Sequence, residues 1–340
     1  VNKLSGSAPL LELNDLRVRL HSKAGIVHAV EGVSLRLEQG KTLGIVGESG
    51  SGKSVLARSI MNLMPRRATA LKSGQVLLQG RNLLPLSEAE LRPLRGPAMA
   101  MIFQDPMTAL NPVLRLSVQL TEPLRLHLHL DRQQARAKAV ELLQAVGIPD
   151  ATARIDQYPH QLSGGMRQRV VIAIALACSP LLLIADEPTT ALDVTVQKQI
   201  LDLLSELQRK HDMGMILITH DLGVVATRAD HIAVMYAGRV VEQAPTRELF
   251  SNHQHPYTEA LLKSIPRLSD PSHTRLQAIP GRPPQLVNPP TGCSFAPRCQ
   301  YAQDRCLAQT PPSVQLAQKD HTHACFYPIS LHAIADREAG

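Results

Sequence analysis

The chain has 340 residues, 44% of them hydrophobic and 19% charged, a globular composition that excludes a largely disordered or collagen-like protein and a length beyond one ordinary domain. Lys and Arg number 36 against 29 Asp and Glu, so the net charge of +7 calls for an anionic partner. No Trp and only 3% aromatic residues leave few platforms for stacking bases, which disfavours single-stranded nucleic acid.

In chain order, alternating apolar positions over 10–18 and 33–37 predict strands, and the continuous run 42–46 predicts a buried one. A helical pattern follows over 52–64 and stops at Pro65; later helical stretches are 132–146, 165–177 and 194–210. Apolar runs 181–185 and 215–219 lie among them, so strands alternate with helices as in a parallel α/β architecture. A hairpin is expected from 231–236 and 239–243 around Ala237-Gly238. Between Pro266 and Pro297 there are eight prolines in 32 residues, against a background of roughly 5%, which marks a linker or irregular extension. The longest uninterrupted apolar run, 170–178, is far short of the about 20 residues of a membrane helix. The N-terminus mixes Lys3, Glu12, Asp15 and Arg17 with its leucines and carries no signal-peptide core, so a cytosolic location is expected.

Gly47-Glu48-Ser49-Gly50-Ser51-Gly52-Lys53-Ser54 matches G-x-x-x-x-G-K-[ST] between a predicted strand and a predicted helix. Glycines at this spacing let backbone N–H groups and the helix N-terminus face phosphates; Lys53 reaches the β and γ phosphates of a nucleotide and the Ser54 hydroxyl ligates Mg²⁺. Downstream, Leu181-Leu182-Leu183-Ile184-Ala185 ends in Asp186-Glu187, a strand delivering one carboxylate for the metal and a second as a base for the attacking water. Leu162-Ser163-Gly164-Gly165-Met166 opens a helix just before that strand and forms a second phosphate-binding nest.

With these three elements the chain resembles the ATP-binding cassette (ABC) family. The resemblance implies a P-loop NTPase cassette over 8–265: a RecA-like mixed sheet core, an antiparallel β subdomain and a helical subdomain at about 105–178. It implies that Ser163, Gly164 and Gly165 face the nucleotide of a partner subunit. Gln104 matches the Q-loop glutamine near Mg²⁺ and the attacking water, Thr190-Ala191-Leu192-Asp193 the D-loop, and His220 the switch histidine. Relatives place an aromatic ring on adenine, but 18–30 holds no Phe, Tyr or Trp; Leu20, His21 and His28 are the nearest substitutes.

The stretch 103–112, Pro159-His160-Gln161, His255-Pro256-Tyr257-Thr258 and Pro280-Gly281 resemble the dipeptide and oligopeptide importers. So does the tail over 266–340, where Cys293, Cys299, Cys306 and Cys325 lack the paired C-x₂-C hooks of common zinc sites. The resemblance implies a [4Fe–4S] cluster on these thiolates, with zinc or no metal as alternatives. Cys178 is expected to be a buried small residue. The function implied is ATP hydrolysis that drives peptide import: a peripheral subunit on the cytoplasmic face of the inner membrane. Its implied partners are two transmembrane permease subunits, a sister ATPase in a heterodimer and, indirectly, a solute-binding protein. Alternatives are a nickel or metal-chelate importer and a soluble ABC ATPase acting on nucleic acid; the latter usually carries a coiled-coil insertion or two cassettes, neither visible here.

Overall fold

The computed structural model describes residues 8–105, 109–189, 192–264, 279–316 and 320–330. The expected linker over 266–278, part of the stretch 103–112 and Thr190-Ala191 of the D-loop lie outside them. The chain forms two compact units: Leu11–Arg36, Thr42–Leu77 and Thr219–Gly340 make one, and Val1–Leu10, Leu37–Lys41 and Leu78–Ile218 the other.

In the first unit, β1 (Leu11–Ser22) lies between β2 (Gly25–Leu37) and β4 (Thr69–Leu78) in one sheet. Leu11, Leu13, Leu16 and Val18 on β1, with Val33, Leu35 and Leu37 on β2, are buried, the half-buried pattern that the alternation predicts. A second sheet starts from β3 (Thr42–Val46), wholly buried and parallel to β9 (His231–Tyr236). The hairpin from β9 into β10 (Arg239–Pro245) turns through Ala237 and Gly238 at φ 48° and 80°, the two left-handed residues of a type I′ turn. The sheet continues into the tail: β12 (Thr322–His323) pairs antiparallel with β10 and with β11 (Val314–Gln315). A segment expected to be an irregular extension thus also supplies sheet edge.

The helix expected over 52–64 spans Lys53–Ile60. It stops early because Asn62 takes the left-handed conformation at φ 54° and the Leu63 N–H reaches back to the Arg58 carbonyl at 2.8 Å, a Schellman-type end that tolerates Asn.

In the second unit, β5 (Arg81–Asn82) precedes β6 (Met99–Ile102), β7 (Leu182–Asp186) and β8 (Gly214–Thr219), which run parallel with β7 central. All three of the parallel strands are fully buried, which is why they read as continuous apolar runs. Helices Leu116–Leu128, Arg132–Ala145 and Gly164–Leu176 occupy the segment expected to be helical. Leu116, Leu120 and Leu124 on the first, and Ala135, Ala139 and Leu143 on the second, form the buried i, i+4 stripes. Asp131 caps the second helix, accepting from the Gln133 and Gln134 N–H groups at 2.8 Å. Cys178 is buried, with its thiol pKa raised by that burial, as expected of a small core residue.

Candidate functional site

In the first unit the loop 47–54 leaves β3 and enters helix Lys53–Ile60. Gly47 and Gly52 adopt φ 152° and 101°, and a Cβ at either would lie 2.1 Å from the Met235 carbonyl oxygen or 2.2 Å from that of Ala29. Only glycine allows this curl. Lys53 is buried; its ammonium donates to the carbonyls of Gly47 at 2.8 Å and Glu48 at 2.9 Å and lies 3.4 Å from the Ser51 hydroxyl. Ser49 and Gly50 are exposed at the crest, and Ser54 stands one residue into the helix. The result is a backbone cradle with a cation folded over it, which is what a polyphosphate requires. His220 follows β8, exposed, and the next residue, Asp221, caps helix Leu222–Arg228 through the Gly223 N–H at 2.7 Å.

Of the residues near the expected base position, His28 donates from Nδ1 to Glu31 at 2.9 Å, while Leu20 is half-buried and His21 exposed. Arg19 also holds Glu31, at 2.6 and 3.2 Å. Burial pushes the Glu31 carboxyl up, but its bonds to Arg19 outweigh this and hold it below the ordinary carboxylate range.

In the second unit, β7 ends with Asp186, 1% exposed, and Glu187 follows at φ 47° with its N–H on the Ile218 carbonyl at 3.0 Å. A left-handed non-glycine residue at a strand end is a strained conformation of the kind that clusters at working sites. Gln104, exposed just after β6, donates to the Glu187 carboxylate at 3.1 Å, so these two expected catalytic residues meet. Ser163 and Gly164 are exposed. Ser163 caps helix Gly164–Leu176 by accepting from the Met166 N–H at 3.4 Å. Arg167 ties the Pro159-His160-Gln161 lead-in to that helix, donating to the carbonyls of Pro159 at 2.9 Å and Leu162 at 3.0 Å. Asp193 caps helix Val194–Lys210, and Val194 beside it is 83% exposed.

The four tail cysteines, Cys293, Cys299, Cys306 and Cys325, line one small apolar cavity walled by Phe295, Tyr301 and Phe326. Burial pushes the Cys299 thiol up to about 11 and that of Cys325 up to about 12, and raises Cys293. Among the described residues no three His, Cys, Asp or Glu side chains are grouped so as to hold a metal ion. That finding lends no support to a metal site on these thiols, zinc or iron–sulfur.

Sequence reasoning passed over two residues that touch the P-loop. Arg298 pairs with Glu48, and the Tyr257 hydroxyl accepts from the Glu48 N–H at 2.8 Å. Tyr257 lies in a motif noted above, whereas Arg298 carries no local signal.

The sequence profile of ABC transporters matches residues 30–190, and that of the oligopeptide/dipeptide transporter C-terminal region matches 241–306. The oligopeptide transport ATP-binding protein OppD of Bacillus subtilis is 52% identical over 308 residues, covering 91% of this chain and 86% of that protein. The dipeptide transport ATP-binding protein DppD of the same organism is 50% identical, covering 93% and 94%. Among solved structures, the ATP-binding cassette MJ0796, a dimer bound to ADP and Pi, matches with TM-score 0.62 at 28% identity over 70% of this chain and 99% of that one. The cassette cbiO1 of Clostridium perfringens, part of the transporter complex cbiONQ, matches with TM-score 0.61 at 27% identity over 72% and 92%.

Proposed function

The chain belongs to the ABC transporter family, in its oligopeptide and dipeptide branch, and on that premise we propose that it is the ATP-hydrolysing subunit that energises import of di- and oligopeptides. The observation that carries this reading is the union, in one chain, of the phosphate cradle at 47–54 with the C-terminal region particular to oligopeptide and dipeptide transporters.

Hydrolysis of ATP is mostly positioning and charge neutralisation. Backbone N–H groups of 49–54 and the Lys53 ammonium bind the phosphates, Lys53 exchanging its carbonyl partners for phosphate oxygens. Ser54, Asp186 and Gln104 would hold Mg²⁺, which neutralises the β and γ phosphates when bound. Glu187 accepts the proton of the attacking water, oriented by the Gln104 amide; His220 contacts the γ-phosphate. Ser163, Gly164 and Gly165 serve the nucleotide of a sister ATPase, so that two cassettes close around two nucleotides and part after hydrolysis. No helix among the described residues is long and apolar enough to cross a membrane, so passage of peptide falls to two permease subunits. The proposed location is the cytoplasmic face of the inner membrane, with a solute-binding protein choosing the cargo on the far side.

For the tail we propose a [4Fe–4S] cluster, as the resemblance implies, held by the four thiols that share one apolar cavity. Such a cluster would supply the positive charge that lets these thiols ionise. Anaerobic purification should give coloured protein with about four iron and four sulfide per chain, and C299S should lose both; colourless, iron-free protein of full activity would rule the cluster out.

The reading as a whole is tested by E187Q in the assembled complex. ATP binding should persist while turnover falls at least about a hundredfold, the range of a lost general base; undiminished hydrolysis would remove the role given to Glu187.

A further inference from the structure

Glu48 presents a carboxylate from within a loop that otherwise attracts anions. Turned toward the cradle it would repel phosphate; instead it is drawn away by Arg298, which meets it at 2.6 Å and 3.0 Å through two separate N–H groups. The Arg298 side chain is 3% exposed. All five of its donors are engaged: Nε on the Pro280 carbonyl at 2.7 Å, Nη1 on Glu48 and on the Tyr236 hydroxyl at 3.3 Å, Nη2 on Glu48 and on the Ile279 carbonyl at 3.4 Å. The main chain of Glu48 is held as well, its N–H donating to Tyr257 Oη at 2.8 Å and its carbonyl accepting from Lys53. Tyr236, Tyr257 and Phe295 pack together beneath this contact, with ring centroids 4.5 to 5.3 Å apart. Residues 257 and 298 therefore hold the first turn of a loop that lies 209 and 250 positions earlier in the chain.

We propose that Arg298 and Tyr257 are positioning residues of the nucleotide site, acting through Glu48, an inference that rests on 47–54 being the phosphate-binding loop. Arg298 neutralises the Glu48 carboxylate and keeps it out of the cradle. Tyr257 fixes the Gly47–Glu48 peptide plane, and with it the Gly47 carbonyl against which Lys53 rests at 2.8 Å. The C-terminal region is thereby part of the ATP site of its own subunit.

The test is Mg-ATP binding by the purified full chain, by titration calorimetry, with KM and kcat of the assembled complex. R298A should raise the Kd for ATP about tenfold, equal to 1.4 kcal/mol. KM should rise while kcat changes less than about twofold, because no group at the reacting atoms is altered. R298K keeps the charge but offers three donors for five and should fall between the two, and Y257F should weaken binding about threefold. E48Q should make the loss of Arg298 nearly silent, so E48Q/R298A binds ATP better than R298A. If R298A does not fold, R298K and Y257F decide. Parent-like affinity in every foldable variant, or additive losses in E48Q/R298A, overturns the proposal by making Arg298 a fastener of the tail alone. A parent chain that fails to bind Mg-ATP overturns the phosphate-loop reading itself, and this inference with it.

Discussion

Gly52→Ala puts the shape of the phosphate loop to a quantitative test. The added Cβ would lie 2.2 Å from the Ala29 carbonyl oxygen, with the Ala29 carbon at 3.4 Å and Gly238 Cα at 3.5 Å, all of them backbone atoms that cannot rotate aside. Relieving that overlap needs a shift of roughly 1 Å between the loop and β2, against an optimal separation near 3.5 Å. Overpacking of this kind costs about 1–3 kcal/mol. The φ of 101° adds about 1–3 kcal/mol for a residue with a side chain. The sum, about 2–6 kcal/mol, is a large part of the 5–15 kcal/mol that keeps a domain folded. Because Gly52 precedes Lys53, the same shift displaces the ammonium and the helix N-terminus, and about 1 Å of misplacement is worth on the order of a hundredfold in rate. Gly50→Ala is the control: no atom lies within 4 Å of its Cβ, so only the backbone cost at φ 81° remains, about 1 kcal/mol. Urea denaturation and ATPase assays on the two variants separate the effects. A G52A chain as stable and as active as G50A would refute the steric reasoning.

Acid should destabilise the protein through His255. Burial lowers its pKa from 6.5 to about 4, so the unfolded chain binds the proton more readily than the folded one. Stability is then complete above pH 6.5 and falls as pH drops toward 4, by up to about 3 kcal/mol. H255N, whose side-chain oxygen can replace Nδ1 as acceptor for the Tyr257 N–H, should flatten Tm against pH over that window; an unchanged slope would assign the effect elsewhere. Glu242 adds to the acid loss at lower pH. Burial pushes its carboxyl up, but bonds from His321 and the Gln254 and His255 N–H groups outweigh that and hold it below the ordinary value, so its contribution fades as pH falls through that lowered value. V194D should leave the Tm within about 1 °C, since an exposed surface change is worth under about 0.5 kcal/mol. It should nonetheless weaken ATP-driven association with a sister cassette, measured by light scattering; unaltered association would free Val194 of that role.

Residues 47–54 and 181–187 were legible in the sequence because their chemistry is local: glycine spacing, an apolar run and its terminal acids sit within eight positions. The same holds for the Ala237-Gly238 hairpin, where two adjacent residues determine the turn. Strand β12 escaped notice, being two residues long and dependent on β10 for its hydrogen bonds. The pairing of Arg298 with Glu48 joins positions 250 apart and leaves no trace in either neighbourhood. Between these extremes lie His255-Pro256-Tyr257-Thr258 and Pro280-Gly281, recognisable as motifs but silent about their work. Tyr257 meets Glu48 and the Pro280 carbonyl receives Arg298, so both motifs serve one contact.

Peptide-dependent ATP hydrolysis by the full transporter tests the central claim most directly. With the permeases, the sister ATPase and the solute receptor in proteoliposomes, peptide-loaded receptor should stimulate ATPase activity and drive peptide uptake, and E187Q in this chain should stop both. Stimulation by a nickel chelate with none by peptides, or uptake that persists in E187Q, would contradict it.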